Sequence, residues 1–93
     1  MLPKFRAPTH PGEILQEEFL EPLNISQSML AKHLKCKSGK INEIVNAKRG
    51  VTPEMALSLA DVLGTSPQFW INLQMNYDLW HAKQEHRSIR RIA

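Results

Sequence analysis

Proline opens three of the apolar stretches in this chain, and that placement makes the chain read as helical. Thr52-Pro53 and Ser66-Pro67 each set a capping hydroxyl ahead of a residue whose fixed φ suits the first helical turn. Between them Ala56, Leu59, Ala60 and Leu63 recur at i, i+3, i+4 and i+7, and Gly64 supplies a left-handed stop. The helix opened by Pro67 runs to about Glu85 and holds four of the six aromatic residues: Phe69, Trp70, Tyr77 and Trp80. His10-Pro11-Gly12-Glu13 opens the first helix, with Ile14, Leu15, Phe19 and Leu20 as its apolar stripe and Pro22 as its end. Two shorter stripes lie between. Leu30, Ala31 and Leu34 follow the N-cap Ser26, with Ile25 packing just before it, and Ile41, Ile44 and Val45 precede the turn-prone run Asn46–Gly50. No strand-like alternation, glycine-rich phosphate loop or internal repeat interrupts the pattern. The expectation is an all-α chain of five helices: an extended arm over Met1–Thr9, a domain over His10–Glu85, and a basic tail over 86–93 with no visible helix stop.

At 93 residues the chain forms one domain that buries about 60–65% of its unfolded surface, enough for a modest core but hardly for a deep catalytic cleft. No nucleophile and base stand together in a local motif, so an enzyme is not expected. Cys36 has no partner, which points to a reducing, cytoplasmic protein, and it reads as a small buried residue. His10, His33, His81 and His86 form no metal-ligand spacing, and nothing in the pattern calls for a metal or cofactor. There is no apolar run behind Lys4 and Arg6 for a signal peptide, and none long enough for a membrane span.

The net charge of +3 conceals a strong asymmetry. Met1–Ala31 carries −2, Lys32–Arg49 carries +5 from Lys32, Lys35, Lys37, Lys40, Lys48 and Arg49 against Glu43, Gly50–Glu85 carries −3, and Arg87, Arg90 and Arg91 put +3 on the tail. A basic block between acidic flanks is an electrostatic footprint for a polyanion. That block also spans the two short helices, whose close spacing is the helix-turn-helix arrangement, in which the second helix enters the major groove. Ser26 and Gln27 begin the first of the pair, where free N–H groups suit a phosphate oxygen. Lys37, Ser38, Gly39 and Lys40 begin the second, and Asn42, Glu43 and Asn46 continue its outward face: lysine for phosphate or guanine, Asn42 for adenine, Glu43 for cytosine N4. Gly39 lets the backbone approach, and Lys48 with Arg49 adds phosphate or minor-groove contacts. The competing reading is a protein-interaction module with a solvated basic face.

The run Ile25-Ser26-Gln27 through Leu30-Ala31 to Ile41, Ile44 and Asn46 resembles the helix-turn-helix of the phage-repressor and xenobiotic-response-element class. Three flanking strings are more specific: His10-Pro11-Gly12-Glu13-Ile14-Leu15, Thr52-Pro53-Glu54-Met55-Ala56-Leu57, and Gly64-Thr65-Ser66-Pro67-Gln68-Phe69-Trp70-Ile71-Asn72-Leu73-Gln74 continuing to Tyr77-Asp78-Leu79-Trp80. Together, from about His10 to Lys83, they resemble the HigA-type addiction-module antitoxins, also known as virulence-associated protein I. The resemblance implies a lambda-repressor-like fold and an antitoxin that neutralises a HigB-type ribonuclease toxin and, as a homodimer on double-stranded operator DNA, represses its own operon. The alternative is a stand-alone regulator with no toxin partner. The sequence departs from the family pattern at Lys35 and Lys37, where a glycine and a hydroxyl cap are usual, and at Gly39 and Lys40, where longer polar side chains are common. Ser38 is then expected as a shifted cap.

Two further surfaces follow. A chain this small does not easily cover its aromatic residues alone, so Phe69, Trp70, Leu73, Tyr77 and Trp80 are expected to face a second protomer, setting two reading helices about 34 Å apart. Glu17, Glu18 and Glu21, with the arm, are the candidate surface for a basic toxin. The tail arginines have no assigned role.

Overall fold

A computed structural model describes residues 7–93, and within them the chain is five helices with no strand. Residues 1–6, which hold most of the arm with Lys4 and Arg6, lie outside the described residues. Helix α1 runs as α-helix over Pro11–Ile14 and continues as π-helix over Leu15–Leu20; α2 is Gln27–Leu34, α3 Ser38–Val45, α4 Pro53–Leu63 and α5 Pro67–Glu85. The local signals act as expected. Ser26, Thr52 and Ser66 accept hydrogen bonds from the backbone N–H groups of Met29, Met55 and Phe69, and Gly64 ends α4 at φ 72°.

The second half of α1 differs from the expected α-helix. In an α-helix residues five apart point about 140° away from each other. Here Glu21 N–H reaches back five residues to the Gln16 carbonyl, and the wider turn brings Leu15 and Leu20 onto one buried face. The i, i+5 spacing of those leucines was therefore the signature of a π segment. Chain reversal after Pro22 uses a left-handed Asn24, whose short side chain tolerates that conformation.

Leu15, Leu20, Leu30, Ile41, Ile44, Ala56, Leu59 and Trp70 form the centre of the core. Trp70 is fully buried, with its indole N–H donating to Thr65 Oγ1 at 2.7 Å and its ring against Phe19 and Phe69. It is thereby removed from the surface expected to face a second protomer, because its own core encloses every edge of the ring.

Two contacts hold the short helices against the rest. A Cβ on Gly12 would lie 1.7 Å from the Ile44 carbonyl oxygen, so only glycine lets the start of α1 abut the end of α3. His10 caps that start: its Nδ1 accepts from Gly12 N–H at 2.9 Å, and its buried ring meets the Tyr77 ring edge-on at 4.7 Å. Gln74 of α5 accepts from Val51 N–H at 2.7 Å and donates to Asp78, which anchors the segment following α3.

Candidate nucleic-acid interface

Helices α2 and α3 pack through Leu30, Ala31, Ile41 and Ile44, which leaves their polar faces outward. The turn between them places Lys35 in the left-handed region at φ 59°, where the family pattern favours glycine. Lys37, not Ser38, occupies the N-cap of α3, and no side chain caps that end; Ser38 is already helical. The expected hydroxyl cap fails because the extended residue falls one position earlier. The first N–H groups of α3 are consequently left to solvent or to an anion, and the exposed Lys37 occupies that end of the helix. Cys36, expected to be buried, is half-buried in this turn.

A shallow concavity of about 540 Å³ opens along the outer face of α3, lined by Lys37, Gly39, Lys40, Asn42, Glu43 and Arg49. The structure thus brings together residues from the start of α3, its middle and the loop after it. A Cβ at Gly39 would meet nothing within 4 Å, so the fold does not require glycine there. Asn42 Nδ2 donates to Gln27 Oε1 at 3.1 Å, tying the start of α2 to the outward face of α3. Arg49 bonds Glu43 Oε1 through Nε at 3.0 Å and Nη2 at 2.9 Å, across the mouth of the concavity. Both partners are about half exposed, so the pair adds little stability. Its effect is positional: Glu43 holds the guanidinium. Asn46 turns its Nδ2 back to the Asn42 carbonyl, and Lys48 and Ser26 lie exposed at either end of the unit.

The remaining sites are distributed as follows. Glu17, Glu18 and Glu21 are all exposed on and just after α1. A hydrogen bond with Glu13, that residue's charge and the nearby Glu21 and Glu18 raise the Glu17 carboxyl from its ordinary value. On α5, Phe69 is exposed and Leu73, Tyr77 and Trp80 are half-buried. Sequence reasoning passed over Met75 and Leu79, which stand 62% and 55% exposed on the same helix. A helix whose apolar residues point in all directions has no single stripe to read. It also gave no packing role to Gly12 and Gln74, whose partners are far away in the chain. Among the described residues no helix is long and apolar enough to cross a membrane.

Residues 17–70 match the helix-turn-helix family model. Virulence-associated protein I of Dichelobacter nodosus is 48% identical over 80 residues, 86% of this chain and 74% of that protein. The Pseudomonas aeruginosa antitoxin HigA, solved with the higBA promoter, superposes with a TM-score of 0.83 at 42% identity, covering 92% of this chain and 99% of the other. The antitoxin GraA in complex with its operator superposes at 0.86 with 39% identity, covering 100% and 99%. This chain, with its capped α2, open-ended α3 and the basic concavity they share, belongs to the helix-turn-helix family of HigA-type antitoxins and virulence-associated protein I.

Proposed function

We propose that this chain is the antitoxin of a two-component module: it neutralises a HigB-type ribonuclease toxin in the cytoplasm and, as a homodimer, binds a palindromic operator to repress its own operon. The observation that carries the DNA half is the concavity along α3, where Lys37, Gly39, Lys40, Asn42, Glu43 and Arg49 converge beside an uncapped helix N-terminus. On DNA, Ser26, Ser38 and the start of α2 serve phosphate contact, Lys37, Lys40 and Lys48 supply charge, and the Gln27–Asn42 pair presents an amide edge suited to adenine. Glu43 acts first through Arg49, aiming its guanidinium at phosphate or guanine, and Asn46 braces the helix end.

Dimerisation is assigned to α5, through Phe69, Leu73, Tyr77 and Trp80 joined by the exposed Met75 and Leu79. Glu17, Glu18 and Glu21 supply the acidic surface for a toxin that must itself be basic to hold RNA.

Operator affinity measured against salt tests the reading. A dimer contacting about six phosphates gives a log–log slope near −5, and Lys37→Ala lowers that slope by about one per site replaced. Binding indifferent to salt contradicts it. Reversing the charge of Glu17, Glu18 and Glu21 is expected to weaken toxin binding and spare the operator; unchanged toxin affinity removes that surface. Absence of any small basic reading frame beside the gene reduces the function to a stand-alone regulator.

A further inference from the structure

The basic loop after α3 is held by its backbone from two directions. Lys48 N–H donates to the Glu43 carbonyl at 2.8 Å, which ties the start of the loop to the reading helix itself. Further on, Val51 N–H donates to Gln74 Oε1 at 2.7 Å, which ties its end to α5. Only Arg49 and Gly50 lie between these two fixed N–H groups. Val51 also buries its side chain in the core. The backbone of Arg49, whose guanidinium is joined to Glu43, is therefore set on one side by α3 and on the other by a side chain of α5.

The Gln74 amide fits this place closely. Its Cδ, Nε2 and Oε1 lie 3.0, 3.0 and 3.1 Å from where a Cβ on Gly50 would stand, so the flat of the amide covers Gly50. An amide can turn either its oxygen or its nitrogen to a neighbour, and only the oxygen accepts from Val51 N–H. Asp78, one turn further along α5, decides the choice. Its Oδ1 accepts from Gln74 Nε2 at 2.9 Å, and an ionised carboxylate has no proton to give, so the nitrogen faces Asp78 and the oxygen faces Val51. Tyr77 stands on the same face of α5, and it meets the His10 ring that caps α1 where Gly12 abuts the Ile44 carbonyl. One turn of α5 thus steadies the end of the reading helix twice, through the loop and through α1.

We infer that Gln74, oriented by Asp78, is a positioning residue for operator binding: from α5 it fixes the backbone that presents Lys48 and Arg49 at the end of the reading helix. The inference rests on the operator-binding reading above, and it makes the charges of the loop depend on a helix that lines no part of the concavity along α3.

The test uses the full-length chain and the duplex DNA immediately upstream of its own gene, with binding measured across salt concentrations. Gln74→Leu keeps the bulk and removes the acceptor. It is expected to weaken binding about tenfold or more and to make the log–log salt slope shallower by about one per protomer, as loss of one placed cation does. Gly50→Ala displaces the amide from the loop side and is expected to act in the same direction, with the two changes together costing no more than the larger alone. Gln74→Glu sets two carboxylates against each other and is expected to bind weakly. Combined with Asp78→Asn it exchanges donor for acceptor at unchanged net charge, and binding is expected to return to within about threefold of wild type.

Thermal unfolding and sedimentation accompany each variant. Wild-type affinity and salt slope in Gln74→Leu and Gly50→Ala, with or without a lowered thermal midpoint, show that Gln74 serves the fold alone; that overturns the assignment and leaves the operator reading intact. Weak binding that follows only from loss of the dimer overturns it too, as does an exchanged pair that binds no better than Gln74→Leu. If Gln74→Leu does not fold, Gly50→Ala, which leaves α5 unaltered, and the exchanged pair decide by the same outcomes. Wild-type chain with no affinity for the duplex defeats the operator reading itself.

Discussion

The reading unit and α5 solve the problem of exposure in opposite ways. Helices α2 and α3, eight residues each, send Leu30, Ala31, Ile41 and Ile44 inward and engage Gln27, Asn42, Glu43, Asn46 and Arg49 with one another. The nineteen residues of α5 bury only Trp70, and Met75 and Leu79 face outward. The first region is finished within one chain and presents polar groups already held in place. The second is anchored at one end and otherwise unfinished. A small domain can thus hold one polar surface in place while leaving apolar residues of a long helix in solvent.

The largest test of that contrast sets two tryptophans of α5 against each other. Trp70→Ala is expected to cost about 3–5 kcal/mol, enough to unfold much of the protein, because it empties the core and orphans Thr65. Trp80→Ala removes a half-buried ring and is expected to leave the thermal midpoint of the monomer close to wild type while weakening dimerisation in sedimentation. Equal losses of stability would show that α5 is as finished as the reading unit.

Gly12→Ala attacks the seam between α1 and the reading helix. The added methyl group cannot coexist with the Ile44 carbonyl, so backbone must move, at about 1–3 kcal/mol by denaturant titration. Two smaller substitutions act inside the reading unit. Lys35→Gly relieves a left-handed lysine and is expected to stabilise by about 1 kcal/mol. Gly39→Ala improves helix propensity in open space and is also expected to stabilise by up to about 1 kcal/mol, yet to weaken operator binding where its methyl group holds the backbone off the DNA. A Gly39→Ala chain that binds the operator as well as wild type denies the close approach.

The most modest effect is on pH. Burial holds His10 below its ordinary value of 6.5, against the opposing charges of Asp78 and Glu13, and the unprotonated Nδ1 accepts from Gly12 N–H. The unfolded chain therefore takes up a proton first as pH falls. Stability from His10 is complete above about 6.5 and declines as pH drops below it. Thermal midpoints between pH 7.5 and about 5 read this, and His10→Asn, which keeps a capping oxygen, is expected to flatten the His10 part of the slope.

The starts of α1, α4 and α5 were legible because a cap and a following proline lie next to each other in the chain, and that of α2 because Ser26 caps it. The basic block was equally legible, since charge needs no partner to be counted. Four readings went astray where the controlling contact was remote or the winding changed. The α1 stripe was π-wound, Ser38 was helical and not a cap, Cys36 was half-buried, and Trp70 lay inside. The residues that organise the candidate interface were identified by type, but their pairing was not, because Gln27 and Asn42 are fifteen positions apart.

The amino-acid sequence by itself determined that the chain is helical, where the proline-opened helices begin, and that two short helices carry the positive charge. Those are properties of neighbouring residues and survive any packing. Tertiary structure alone decided that Gly12 seats α1 on α3, that Gln74 clasps Val51 across twenty-three positions, and which tryptophan fills the core. Such choices depend on how much space and which polar atoms a distant segment leaves open, and local preference carries no record of either.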